Sequence, residues 1–137
     1  MPSAFLDTNI LIYAAAGTRS DPERAEISRA IIADGDFGLS FQVLQEFYVN
    51  LRKLPAPLAD AEIDEWISNL LLFDCVSGDP QLFLEAVVVS RTYRISYWDG
   101  AIVAAANRLD VSTLFTEDLN NGQTYGQVRA VNPFAQT

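Results

Sequence analysis

The sequence predicts an α/β fold with a short parallel sheet flanked by helices in three layers. Three features carry this. Short apolar runs of strand character alternate with longer runs of helical periodicity. Strands separated by helices have the crossover connections that parallel neighbours require. No repeat, low-complexity tract or linker interrupts the 137 residues, so residues 1–137 read as a single domain.

Ala4 to Leu6 is an apolar strand that stops at Asp7. Asn9 to Ala16 reads as a helix, with Ile10, Tyr13 and Ala14 at helical spacing. Ser20-Asp21-Pro22-Glu23 opens a second helix with a capping side chain, a proline in the first turn and an acid near the positive end of the dipole. Gly35 ends it. Phe37 to Ser40 is the next strand, and a helix follows from Gln42 to about Leu54. Leu44, Phe47, Tyr48 and Leu51 form its apolar stripe, and Pro55 and Pro57 end it. Ala59 to Leu72 is a helix with Ile63, Trp66, Ile67, Leu70 and Leu71 on one side. Asp74 to Val76 reads as an edge strand, and Asp79-Pro80 starts a helix running to about Tyr93. Ser96 caps the most strongly patterned helix, which ends near Leu109. Thr113 to Phe115 and Val128 to Val131 complete the strands.

Composition removes whole classes of chemistry. Half the residues are hydrophobic and a fifth are charged, the balance of a globular chain. Histidine is absent, which excludes Ser-His-Asp and Cys-His catalysis and imidazole-ligated zinc. Cys75 is alone, so it forms neither an intrachain disulfide nor a thiolate metal site, and it reads as a small apolar residue. Lys53, the single lysine, follows no Gly-x-x-x-x-Gly loop, which excludes a P-loop NTPase. The start, Met1-Pro2-Ser3, lacks a basic leader, and no apolar stretch approaches the roughly 18 residues of a membrane span. The expected setting is the cytoplasm, without membrane contact. Catalysis, if present, must use carboxylates, hydroxyls, amides and arginines, with a metal as the natural helper.

The carboxylates fall where such a site belongs. Open parallel sheets bind ligands beyond the carboxyl ends of their strands. Asp7 follows the first strand, and Glu117-Asp118 follows the strand Thr113 to Phe115. Glu46 lies in the opening turns of a helix that starts on the same edge, and Asp99 lies in the first turn of another. Asp99 shares a helix face with Ile102, Val103 and Ala106, and Glu46 has Val43 and Val49 beside it with Asn50 a turn later. Taken singly, each acid has an ordinary reading. Asp7 reads as a helix cap, Glu46 as a solvated helix acid, Asp99 as a dipole partner and Asp118 as a turn residue. Together they repel: two carboxylates 4 Å apart cost on the order of 4 kcal/mol at an effective dielectric near 20. A divalent cation resolves the conflict, and oxygen ligands without nitrogen or sulfur select Mg2+ or Mn2+. Metal-dependent phosphodiester hydrolysis is the chemistry this arrangement supports.

Four stretches, set side by side, carry a resemblance: Phe5-Leu6-Asp7-Thr8-Asn9-Ile10-Leu11, Ser40-Phe41-Gln42-Val43-Leu44-Gln45-Glu46-Phe47, Ser96-Tyr97-Trp98-Asp99 leading into Ile102-Val103-Ala104-Ala105-Ala106, and Leu114-Phe115-Thr116-Glu117-Asp118-Leu119. In this order they resemble the PIN-domain nucleases, specifically the VapC-like toxins of type II toxin–antitoxin pairs, and the ending Asn132-Pro133-Phe134 resembles one branch of them. The resemblance implies an Mg2+- or Mn2+-dependent endoribonuclease, a homodimer, an RNA substrate and inhibition by a small VapB-like antitoxin. It makes Asp7, Glu46, Asp99 and Asp118 the acidic quartet, with Asn9 and Thr116 as supporting polar groups. Glu117 is the alternative to Asp118, since strand alternation lets only one face the site readily. Two positions depart from the pattern. Gly100 stands where relatives often carry alanine, which is expected to loosen the helix start, and Asn120 and Asn121 stand where some relatives have another acid.

Nine basic against eighteen acidic residues give a net charge of −9, an awkward balance for contact with RNA. Weak, salt-sensitive binding through local arginines is expected, with Arg19, Arg24, Arg52, Arg91 and Arg94 as candidates. Two rival readings are a non-catalytic PIN-like metal- or partner-binding module and a haloacid-dehalogenase-like phosphatase. The phosphatase needs a second acid two residues after Asp7, where this chain has Asn9, and a well-placed lysine.

Overall fold

A computed structural model describes residues 1–135. The chain runs β1 (Ala4–Leu6), α1 (Thr8–Ser20), α2 (Pro22–Asp34), β2 (Leu39–Ser40), α3 (Phe41–Arg52), α4 (Asp60–Leu70), β3 (Cys75–Val76), α5 (Pro80–Tyr93), α6 (Tyr97–Arg108), β4 (Thr113–Phe115), β5 (Thr124–Tyr125) and β6 (Val128–Val131). This is the mixed α/β architecture with a mostly parallel sheet that the residue pattern predicts.

The main sheet has the order β1-β4-β6-β5. β1, β4 and β6 are parallel, and only the β5–β6 hairpin is antiparallel. β2 and β3 form a separate parallel pair. A bridge between Phe5 and Gly38 joins that pair to the open edge of β1. From β1 the chain therefore goes first to one side, through β2 and β3, and then to the other, through β4, β6 and β5. The β1/β4 boundary is the switch point, and a crevice opens there beyond the strand ends. Register fixes what lines it. Leu6 pairs with Phe115, so the next residues out, Asp7 and Thr116, leave the sheet side by side.

Phe5, Leu6, Ile10, Leu39, Phe47, Leu51, Val103 and Leu114 are fully buried and form one continuous core. α6 is buried all round from Gly100 to Ala106, so it is the central helix of the molecule and not a surface helix with one apolar stripe. Several ends follow local chemistry. Asp79 accepts from the Leu82 amide at 2.7 Å, Ser96 from the Asp99 amide at 3.0 Å, and Gly35 ends α2 in the left-handed region at φ 75°.

Three details differ from the sequence expectation. α1 continues through Gly17 to Ser20, because Gly17 lies against Ala25 of α2, where a Cβ would meet the Ala25 Cβ at 3.4 Å. Asp21 then supplies the expected cap of α2, accepting from the Arg24 amide at 3.2 Å. The buried face of α3 is Val43, Phe47 and Leu51, while Tyr48 and Val49 are exposed. β5 has no apolar run to announce it, since only its pairing with β6 makes it a strand.

Candidate active site

β1 ends directly before Asp7, and the side chain takes up two partners at once. One oxygen accepts from the Thr8 amide at 2.7 Å, capping α1, and the other accepts from the Thr116 hydroxyl at 2.7 Å. Asp7 is only 6% exposed. Burial pushes its carboxyl up to about 6, against the pull of those two hydrogen bonds, and the charges of Asp118 and Glu46 add to the rise. Thr116, wholly buried at the end of β4, also accepts the Asp118 amide at 3.1 Å, so one hydroxyl ties the two strand ends together.

The other acids approach from three directions. Ser40 caps α3, whose second turn carries Glu46; Thr8 Oγ1 donates to it at 2.8 Å. Asn9 Nδ2 donates to Asp118 Oδ2 at 3.1 Å. Ser96 starts α6 and places Asp99 in its first turn, where partial burial raises the carboxyl above its ordinary range, opposed by Ser96 and assisted by the charge of Asp118. Asp7, Glu46, Asp99 and Asp118 all line one cavity of about 370 Å3, together with Asn9. Thr116 acts on this cavity from beneath, through Asp7. Glu117 points elsewhere. It accepts the Tyr13 hydroxyl at 2.6 Å and pairs with Arg24 Nε at 3.5 Å. After Phe115 the chain has left the strand, so these two distant partners, and not strand alternation, decide which acid enters the cavity.

Tyr13, Gln42 and Trp98, outside the site expected from the sequence, line the same cavity. Gln42, Glu46 and Asn50 recur every four residues along α3, and this was a readable signal for Gln42. Among the described residues, no lysine or arginine lines the cavity. Of the arginines considered for substrate contact, Arg24 is engaged with Asp21 and Glu117, and Arg52 with Asp60.

Among the described residues, no group of three acid, cysteine or histidine side chains stands close enough to hold a metal ion as placed. Each of Asp7, Glu46 and Asp118 instead spends an oxygen on a protein donor. The donor set nonetheless fits a hard divalent cation. It is all oxygen, the charges of Asp118 and Glu46 add to the rise at Asp7 and that of Asp118 to the rise at Asp99, and the buried Asn9 Oδ1 has no partner while its amide nitrogen is committed to Asp118.

The fold thus gathers four acids in one cavity over the switch point of a mostly parallel α/β sheet. The chain belongs to the PIN domain family, whose model matches residues 4–125. No curated protein matches the sequence. Among solved structures it is similar to a chain of a toxin–antitoxin complex from Klebsiella pneumoniae, with 19% identity, a TM-score of 0.72, and 96% of this chain and 98% of that one covered. It is also similar to VapC20 of Mycobacterium tuberculosis, a sarcin–ricin loop cleaving toxin, with 17% identity, a TM-score of 0.64, and 85% and 92% covered. A third match is DNA-bound VapBC from Salmonella typhimurium, with 16% identity, a TM-score of 0.67, and 95% and 97% covered. Among the described residues, no helix is long and apolar enough to cross a membrane.

Proposed function

We propose that the protein is an Mg2+- or Mn2+-dependent endoribonuclease that hydrolyses RNA phosphodiester bonds and acts as the toxin of a type II toxin–antitoxin pair. The observation that carries this is the convergence of Asp7, Glu46, Asp99 and Asp118 on one cavity at the sheet's switch point. Membership of the PIN family and the toxin–antitoxin neighbours support it. The reading includes a homodimer in the cytoplasm and a VapB-like antitoxin whose docking blocks the cleft.

In this mechanism Asp7 and Asp99 would be the main ligands of the ion, directly or through water, and Glu46 and Asp118 would hold outer waters or a second ion. A bound divalent ion supplies the charge that activates water and offsets the phosphodiester's developing charge. Thr116 and the Thr8 amide keep Asp7 in one orientation before any ion arrives. Thr8 Oγ1 and Asn9 Nδ2 do the same for Glu46 and Asp118, and one of these two acids takes the proton of the attacking water.

Purified wild-type protein is expected to cleave a fluorescent RNA in magnesium and to stop when chelator is added. Folded Asp7→Asn and Asp99→Asn variants are expected to be inactive; wild-type cleavage by either would contradict the assignment. A phosphatase substrate run beside the RNA separates this activity from phosphomonoester hydrolysis.

A further inference from the structure

We propose that Glu117 is a positioning residue, and that a clamp of Tyr13, Arg24 and Phe134 around it sets Asp118 in the acidic cavity. The inference rests on the nuclease reading and gives that site a control that runs through the C-terminal segment.

Asp118 is exposed and is met directly from two sides. The Asn9 side-chain amide donates to its carboxylate at 3.1 Å, and its own backbone amide donates to Thr116 Oγ1 at 3.1 Å. Glu117, one residue earlier, is held more firmly. Its carboxylate accepts the Tyr13 hydroxyl at 2.6 Å and faces Arg24 Nε at 3.5 Å, a nitrogen cut off from water. Arg24 is anchored in turn to Asp21 Oδ2 at 2.9 Å. Its guanidinium lies 5.7 Å from the Tyr13 ring centre and 5.3 Å from that of Phe134, and the two rings meet edge to face at 5.2 Å. Side chains from α1, α2, the end of β4 and the C-terminal segment therefore close on one another.

Asn132-Pro133-Phe134 is built to deliver the last of them. Asn132 Oδ1 accepts the Phe134 amide at 2.9 Å, an Asx turn that brings the ring back over Arg24, and Pro133 restricts the backbone within it. The Asn132 amide donates to Asn121 Oδ1 at 2.9 Å, and the Thr116 amide donates to the Val131 carbonyl at 3.1 Å. The same segment thus grips the chain on both sides of Glu117-Asp118. Electrostatics agrees with this geometry. Arg24 offers Glu117 an opposite charge, whereas the cavity holds the like charges of Asp7, Glu46 and Asp99. A chain that releases Glu117 can turn either acid inward; the clamp leaves that place to Asp118.

The test measures Mn2+ binding without RNA, by loss of the free ion's EPR signal, and follows the Asn9 side-chain amide by NMR in metal-free protein. Glu117→Ala is expected to weaken Mn2+ binding about tenfold, as when the support of a ligand is lost, and to shift the Asn9 resonance. Tyr13→Phe, which removes one oxygen, and Phe134→Ala are expected to do the same to a smaller degree. Glu117→Gln keeps an acceptor for Tyr13 and is expected to fall between Glu117→Ala and the wild type. In an Asp118→Asn background, Glu117→Ala is expected to change Mn2+ affinity by less than about twofold, since its effect passes through Asp118. An Asn9 resonance unmoved in folded Glu117→Ala overturns the inference whether or not the protein binds metal. An equal loss of Mn2+ affinity in the Asp118→Asn background overturns it too, because the cluster then serves only the fold. A wild type that binds Mn2+ and shows the coupling, yet leaves RNA uncut in magnesium, upholds the clamp and fails the nuclease reading.

Discussion

Asp7 combines two roles that pull against each other. It caps α1, yet it is buried with neighbouring charges, so its folded-state carboxyl titrates at about 6 instead of 3.8. A folded carboxyl that holds its proton more tightly than the unfolded one stabilises the fold at low pH. That advantage is lost as pH rises from about 4 through 6. The displacement corresponds to about 3 kcal/mol at neutral pH, before allowance for imperfect hydrogen bonding by a substitute. Asp7→Asn is therefore expected to make the metal-free protein more stable at pH 7, by about 1–3 kcal/mol, and nearly neutral at pH 4. Denaturant melts of both proteins at the two pH values measure this, and a variant no more stable at pH 7 than at pH 4 would contradict it. Thr116 is the second informative position. Thr116→Val removes the hydroxyl that serves both Asp7 and Asp118, and cleavage is expected to fall about 10–100-fold, as when the partner of a metal ligand is lost. Thr116→Ser is expected to restore most of it.

The pairing of α5 with α6 turns on one residue. At Gly100, helix propensity alone favours alanine by about 1 kcal/mol. Here a Cβ would lie 2.8 Å from the Ala86 carbonyl and 3.0 Å from the Ser90 Cβ. The expected loosening of the helix start is thus the condition for close packing between two helices. Gly100→Ala is expected to destabilise the protein by a net 1–2 kcal/mol or so, since overpacking against backbone outweighs the propensity gain. A thermal melt decides, and a raised melting temperature would refute the packing argument. At the far end of the same helix, Asn107 donates to the Tyr125 carbonyl at 3.2 Å and accepts the Gln127 amide at 3.0 Å. The β5–β6 turn is thereby fastened to the central helix.

How much of this was legible depends on the range of the forces involved. β1 and β4 were readable because short apolar runs end at acids, and α2, α5 and α6 because caps and prolines act within a few residues. The convergence of the four acids followed from strand ends and helix starts sharing one edge. The choice between Asp118 and Glu117 was not readable, because Tyr13 and Arg24, on other helices, capture Glu117. The true buried face of α3 and the existence of β5 likewise depend on partners far away in sequence.

Across the molecule, the −9 charge and the acids gathered at one cavity lead to the expectation that a divalent ion is a stabilising ligand as well as the proposed cofactor. Binding to the folded state alone raises stability by RT ln(1 + [L]/Kd), about 2.7 kcal/mol at a hundredfold excess over Kd. Millimolar magnesium is therefore expected to raise the melting temperature of the wild type and to do so much less for Asp99→Asn. Equal shifts in both would indicate general screening of surface charge. Because this readout needs no RNA, it tests the metal separately from the reaction.

The hydroxyl–carboxylate link between Thr116 and Asp7 spans 109 positions of sequence. β4, which brings Thr116 to it, is flanked by β1 on one side and β6 on the other. A nascent chain on the ribosome consequently holds Asp7 long before it holds the rest of the cleft, and no fragment ending ahead of β4 can assemble one.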